Sequence, residues 1–201
     1  MKYIVVLPYV YLPYFEACKA TWKFPDENML LIDNTVNNLG IMKSHNMGID
    51  KMKEMEADWL IILSAAIRFG EAGGLDFIKV LEDHPDYYVI HAASENVKGG
   101  KQQDGGGGHN EVFGWHLTAF NKDVFKNIGR WDENFTPYGY DDIDLSLRIQ
   151  KHYKGAPGWD TFPIDVHDTT MGHSINLGKI QTDDAPKIEY FKRKWGRAHG
   201  D

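Results

Sequence analysis

One cysteine, Cys18, is all that the 201-residue chain carries, so no intrachain disulfide can form and a disulfide-stapled scaffold is excluded. Cys18 sits on a helical pattern among apolar residues and reads as a core residue, and so thiol-poor a composition fits a reducing, cytoplasmic setting. Long hydrophobic runs are missing as well. The opening run Tyr3-Ile4-Val5-Val6-Leu7 is far too short to span a membrane, lacks a signal-peptide cleavage pattern, and reads as a buried strand. Neither GxGxxG nor a P-loop follows it. Pro8-Tyr9-Val10-Tyr11 stands there instead, which argues against a dinucleotide-binding Rossmann domain and a P-loop ATPase. Positive charge is also short: 22 Lys plus Arg against 29 Asp plus Glu give a net charge of -7. The surface as a whole is therefore no trap for polyphosphate, and nucleic acid is disfavoured as a partner apart from a local basic stretch, Lys187 to Arg197.

What is present suffices for a core. Hydrophobic residues make up 42% of the chain and aromatic ones 13%, which excludes disorder and collagen-like repeats and suits one domain. Apolar β-rich runs at Tyr3–Leu7, Met29–Ile32, Trp59–Leu63 and Tyr87–Ile90 alternate with helical patterns at Leu12–Trp22, Ile41–Met55 and Leu75–Leu81. Such alternation predicts an α/β fold with a mostly parallel central sheet flanked by helices. Gly99-Gly100 and Gly105 to Gly108 mark residues 96–110 as a mobile loop. Beyond it the pattern predicts structure over Val112–Phe120, helices over Lys122–Ile128 and Asp141–Tyr153, and a strand around Phe162–Val166. The tail from Pro186 to Arg197, with Tyr190, Phe191 and Trp195 near helical spacing, is expected to pack across the sheet.

Several residues carry chemistry. Asp33 directly follows an apolar strand, the place where ligands of open α/β sheets bind, and its carboxylate can accept hydrogen bonds from a base or ribose. An Asp33-Asn34 turn is the plainer alternative. Asn38-Leu39-Gly40 and Asn46-Met47-Gly48 follow, offering amides and close backbone approach, or ordinary helix capping. Asp141-Asp142-Ile143-Asp144 gathers carboxylates that oppose one another's ionisation at a helix start, where acidic residues are also favoured for the helix alone. Asp144 is placed to cap that helix or to pair with Arg148.

Taken together, the strand ending in Pro8, the strand ending in Asp33-Asn34, the Asn38-to-Gly48 pattern and the strand ending at Leu63-Ser64 resemble the nucleotide-binding half of family 2 glycosyltransferases of GT-A fold. Gly129-Arg130-Trp131-Asp132-Glu133-Asn134-Phe135, then Tyr138-Gly139-Tyr140-Asp141-Asp142-Ile143-Asp144-Leu145 and Arg148, resemble that family's downstream signature, nearest to its rhamnosyltransferase-like subgroup. The likeness runs from about Lys2 to Gly155. It implies a single GT-A domain over 1–201, with a nucleotide-binding half at about 1–95 and an acceptor and catalytic half at about 110–201. It further implies an inverting transfer of a hexosyl or deoxyhexosyl group from a nucleotide-sugar, a UDP- or dTDP-sugar foremost, to an acceptor hydroxyl on a glycan, lipid-linked glycan, protein or modified base.

Residue by residue, the resemblance makes Asp142 the catalytic base, with Asp141 ordering the loop or the acceptor. Pro8, Tyr9, Asp33, Asn34, Asn38, Gly40, Asn46, Ser64 and Arg68 become donor contacts. Trp115, His116 and Trp131 become acceptor contacts, because aromatic faces stack on sugar rings. The family's Mg²⁺ or Mn²⁺ is held by Asp-x-Asp after the third strand, but this chain has Ser64-Ala65-Ala66, whose side chains supply no hard anionic oxygen. Three alternatives follow: Arg68 neutralises the diphosphate, other groups such as His167 with Asp168 hold a metal, or the chain is a catalytically weak or inactive relative that binds nucleotide-sugar or glycan.

Overall fold

The structure is a computed structural model, and it describes residues 1–93, 102–103, 111–112, 116–153, 159–168 and 184–197. The glycine-rich run 105–108 and Trp115 lie outside the described residues, as do His109 and His173.

Strands β1 (Tyr3–Tyr9), β2 (Met29–Asp33) and β3 (Trp59–Leu63) form the first half of the main sheet, joined by α1 (Leu12–Lys19) and α2 (Ile41–Glu54). A short strand β4 (Ile67–Phe69), helix α3 (Leu75–Asp83) and strand β5 (Val89–Ala93) follow. Among the described residues, the small strands β6 (Gln102–Gln103) and β7 (Glu111–Val112) pair with each other in a separate two-stranded sheet. The chain then returns through β8 (Leu117–Asn121), α4 (Lys122–Ile128) and α5 (Asp141–Tyr153), passes through β9 (Trp159–Pro163) and β10 (Val166–Asp168), and reaches α6 (Ala185–Trp195).

Six strands make the main sheet in the order β2-β1-β3-β8-β5-β9. β1 runs parallel to β2 and β3, and β5 parallel to β9, whereas β8 runs antiparallel to both of its neighbours. The parallel alternation expected from sequence is thus broken at one strand. β4 is an addition that three residues were too short to signal; it pairs antiparallel with β10 in a separate ribbon. The single final strand expected at Phe162–Val166 is instead two, divided at Ile164-Asp165.

Period-two alternation sends the strand side chains to opposite faces. Ile4, Val6, Leu60 and Ile62 pack with Met42, Ile49, Phe125, Leu145 and Phe191 from α2, α4, α5 and α6. Val5, Leu7, Ile61 and Leu63 pack with Phe15, Cys18, Phe77 and Leu81 from α1 and α3. Both faces are covered, which is why β1 and β3 read as unbroken apolar runs. Cys18 is fully buried in the second layer, and burial pushes its thiol up to about 12.

Candidate functional site

The ends of β1 and β2 frame the first part of the site. Tyr9 is in register with Asp33 at the last rung of the parallel pair. The β1–β3 ladder stops at Val6, so Pro8 comes where no donor is needed toward β3 and its missing N–H costs nothing there. Asp33 is exposed and accepts from the Thr35 backbone N–H at 2.8 Å and the Thr35 hydroxyl at 2.6 Å, and these bonds hold its carboxyl below the ordinary range. Tyr9 is raised by partial burial and then by the negative Asp33; its ring stacks on Phe15 with centroids 4.2 Å apart. An open recess of about 340 Å³ lies here, lined by Val10, Tyr11, Leu12, Pro13, Asp33 and Thr35. An exposed carboxylate beside aromatic rings suits a planar heterocycle with N–H donors.

Three sequence candidates, Asn34, Asn46 and Trp131, are buried in the packed interior. Asn34 is buried, donating to the Ser44 hydroxyl at 3.1 Å and accepting from the Leu39 N–H at 3.1 Å. Asn46 donates to the Trp131 carbonyl at 3.1 Å and to Glu133 Oε1 at 2.8 Å, and accepts from the Trp131 N–H at 3.0 Å. Its amide is spent joining α2 to the Arg130–Phe135 motif, so it has nothing left for a donor. Trp131, expected on a sugar, is 2% exposed and packs on Phe125 at 5.1 Å and Phe120 at 5.5 Å. Gly40 is required by backbone geometry: its φ is +82°, and a Cβ there would meet the Pro137 Cα at 2.9 Å. Asn38 remains exposed, but its side chain accepts from the Gly40 N–H at 2.9 Å.

Beyond β3, the Ser64 hydroxyl accepts from the Ala66 N–H at 3.2 Å, and the Ser64 N–H donates to the His116 carbonyl at 2.8 Å. Arg68 on β4 folds back onto this turn, Nη1 donating to the Ala65 and Ile67 carbonyls at 2.8 and 2.7 Å. His167 on β10 stands directly opposite Arg68 in the ribbon, with Nε2 3.3 Å from Asp165 Oδ1. The topology therefore brings Ser64, Arg68, His116 and His167 to one region. The Ser64–Ala66 turn does not fit a divalent cation through its side chains: it offers no carboxylate, the Ser64 hydroxyl already accepts from the Ala66 N–H, the Ala66 side chain carries no oxygen, and a guanidinium lies against the turn. Among the described residues no three His, Cys, Asp or Glu side chains converge on a point.

The acidic cluster opens α5. Ile41 at the start of α2 donates its N–H to the Pro137 carbonyl at 2.9 Å, which fastens the loop before α5 beside the loop that follows β2. Gly139 at φ +97° and Tyr140 at φ +64° turn the chain through the left-handed region into the helix. Asp141 is 7% exposed. Burial, then the negative Asp142, raises its pKa to about 7, against hydrogen bonds from nearby backbone amides. Asp142 is half-buried and accepts from the Ile143 N–H at 2.8 Å. Tyr138 is pushed up to about 12 by burial and by Asp141 and Asp142. Asp144 is fully buried and pairs with Arg148 at 2.9 Å, as its spacing suggested, and also receives Trp195 Nε1 at 3.0 Å and Lys194 Nζ at 2.7 Å.

Helix α6 supplies residues that the sequence reading passed over. Lys187 is 4% exposed and donates to the Tyr138 carbonyl at 2.7 Å. Lys194 also pairs with Asp132 at 2.6 Å, which the Tyr190 hydroxyl reaches at 2.8 Å. Lys187, Tyr190, Phe191, Lys194 and Trp195 recur at i, i+3, i+4, i+7 and i+8, the signature of one helical face. The aromatic members were legible; the two lysines on the same stripe were the missed signal. Both are paired within the protein, so two of the cations in the basic stretch Lys187 to Arg197 are engaged internally.

No protein-family profile matches the chain, and no curated protein matches it in sequence. Solved structures do match. S. aureus TarS 1–349 aligns with a TM-score of 0.54 at 14% identity, over 98% of this chain and 72% of that one. The mannosyltransferase PcManGT from Pyrobaculum calidifontis, solved with GDP-Man and Mn²⁺, aligns with 0.56 at 12% identity, over 98% and 65%. The catalytic domain of Drosophila β1,4-galactosyltransferase 7, complexed with xylobiose, aligns with 0.56 at 11% identity, over 100% and 83%. The fold is that of the GT-A glycosyltransferases. Among the described residues no helix is long and apolar enough to cross a membrane.

Proposed function

We propose that the chain is an inverting glycosyltransferase of the family 2 type, with motifs nearest to the rhamnosyltransferase-like subgroup, acting in the cytoplasm as a single domain over residues 1–201. It moves a hexosyl or deoxyhexosyl group from a UDP- or dTDP-sugar to an acceptor hydroxyl. The observation that carries this reading is the Asp141–Asp142 pair at the start of α5, whose preceding loop is fastened at Pro137 to the start of α2, the helix that follows the β2 end where Asp33 lines the recess. Neighbours of the same fold have been solved with UDP-GlcNAc and with GDP-Man, which supports a nucleotide-sugar as donor.

In the reaction, the Asp142 carboxylate takes the acceptor hydroxyl's proton. The freed oxygen forms a bond to the anomeric carbon from the face opposite the leaving group, the bond to the diphosphate breaks, and the nucleoside diphosphate departs with the electron pair. Tyr9 and Asp33 hold the base, beside Pro8. Arg68 and His167, near Ser64, supply cationic or hydrogen-bonding groups toward the phosphates. His116 and Trp115 remain the acceptor candidates.

Asp142→Asn keeps size and hydrogen bonding but removes basicity, so transfer should fall by roughly 10²-fold or more while donor binding survives. Asp33→Ala should weaken binding of the nucleoside diphosphate instead. Calorimetry with UDP and dTDP, beside a transfer or donor-hydrolysis assay, checks both. The absent carboxylates at Ser64-Ala65-Ala66 favour one second reading, a binding module of the same fold. Tight donor binding by the wild type without turnover of any donor would establish it.

A further inference from the structure

The turn that presents Asp141 and Asp142 is not held by its own sequence. Gly139 and Tyr140 are consecutive left-handed residues, and for a side chain as large as tyrosine that conformation costs about 1–2 kcal/mol. Such strain persists only where surrounding structure imposes it. The Tyr140 ring is packed between Phe135, stacked at 5.8 Å, and Phe191 of α6 at 5.3 Å. Its carbonyl accepts the Asp144 N–H at 2.9 Å and so starts α5. On the other side of the turn, the Lys187 ammonium donates to the Tyr138 carbonyl at 2.7 Å and pairs with Asp184 at 2.8 Å. Lys187 is buried while Asp184 is 57% exposed at its side chain.

Burying an ammonium is costly unless its donors are used. A lysine whose only task was to pair with Asp184 would lie at the surface with it. From this geometry we infer that Lys187 is a positioning residue: by holding the Tyr138 carbonyl it fixes the Gly139–Tyr140 turn and thereby the placement of the Asp141–Asp142 pair. Lys194, seven residues on along the same stripe, ties Asp132 to Asp144 and anchors the helix against both motifs. Helix α6 thus works as a clamp over the loop, although Lys187 touches neither carboxylate through any bond described.

The kinetic part rests on reading Asp142 as the base; the structural part does not. Hydrogen exchange followed by mass spectrometry on the 136–144 peptide, in wild type, Lys187→Met, Lys187→Arg and Asp184→Asn, separates the two. Losing a buried hydrogen bond should speed exchange of this peptide roughly 10-fold in Lys187→Met, with β1 and β3 unchanged. Asp184→Asn keeps the bond to Tyr138 and should exchange like wild type. In the transfer assay Lys187→Met should lower kcat by roughly 10²-fold, as a misplaced base would, with donor affinity unaltered, and Lys187→Arg should restore part of the rate. Should Lys187→Met not fold, Lys187→Arg reads the same peptide, with partly quickened exchange expected. Unchanged exchange in the Lys187 variants would overturn the inference, as would faster exchange spread evenly over the sheet or an equal effect from Asp184→Asn. Wild-type protein that lacks turnover while the exchange results hold would sink the proposed function and leave the positioning role standing.

Discussion

Asp141 illustrates how a residue can be placed against its own preference. Its folded pKa is raised to about 7 from an ordinary 3.8, by burial and by Asp142. Below about pH 3.8 the carboxyl is protonated in both the folded and unfolded chain, and burial of the acid carries little electrostatic penalty. As pH rises to about 7 the unfolded chain releases its proton while the folded one retains it, so stability is lost across that window. Asp141→Asn removes the titration. It should therefore raise the thermal midpoint at pH 8 by on the order of 5 °C, with a gain that shrinks toward pH 4. Thermal unfolding followed by circular dichroism at both pH values is the check, and a gain equal at both would show that charge is not its cause. A buried carboxylic acid kept at a stability cost beside Asp142 is the kind of perturbed group that clusters at functional sites. The asparagines are the opposite case. Asn34 and Asn46 looked like ligand contacts, but their amides satisfy buried backbone and side-chain groups, and nothing local in the sequence distinguishes these uses.

Helix α2 shows the same dependence at the scale of an element. Its body follows from Met42, Ile49 and Met52 on one face, but its start is set by Gly40, whose φ of +82° and close approach to Pro137 admit no side chain without movement. Gly40→Ala should lower the midpoint by roughly 2–8 °C from the backbone cost alone. The Thr136 methyl can move but the Pro137 Cα is backbone, so a scanning-calorimetry midpoint equal to wild type would mean that the loop carrying Pro137 yields freely. Gly48, which part of the pattern also singled out, approaches Val6 and Leu60 in the packed layer, so it serves the contact of helix and sheet. Helix α6 was expected to lie across the sheet on the strength of its aromatics. Phe191 does join that core, yet Lys187 and Lys194 tie the helix to the loops that carry the acidic motifs.

Across the whole molecule two buried histidines couple the sheet and its layers to pH. His91 links three strands: Trp159 Nε1 donates to its Nε2 at 2.9 Å, so Nδ1 carries the proton and faces the Thr118 hydroxyl at 2.8 Å. His45 lies against Trp131 at 4.9 Å between ring centroids, and neither of its ring nitrogens finds a hydrogen-bond partner among the described residues. Burial lowers both from 6.5 to about 3. Below about pH 6.5 the unfolded chain takes up protons that the folded one refuses, so each histidine removes about 1.4 kcal/mol per pH unit until about pH 3. Asp141 opposes this with one proton, leaving a net loss, and the thermal midpoint should fall steadily from about pH 6.5 to about 4.5. A flat profile over that range would contradict the assignment. The sequence by itself determined the covered parallel strands, because Val5, Val6, Ile61 and Ile62 must be apolar on both faces of the sheet, and it determined the helix that begins at Asp141. Tertiary structure alone decided that β8 runs antiparallel, that Trp131 and Asn46 face inward, and that Lys187 reaches Tyr138. Strand direction and the spending of a polar group depend on partners far away in the chain, 85 residues for Asn46 and Trp131 and 49 for Lys187 and Tyr138, and no local periodicity encodes a partner at that distance.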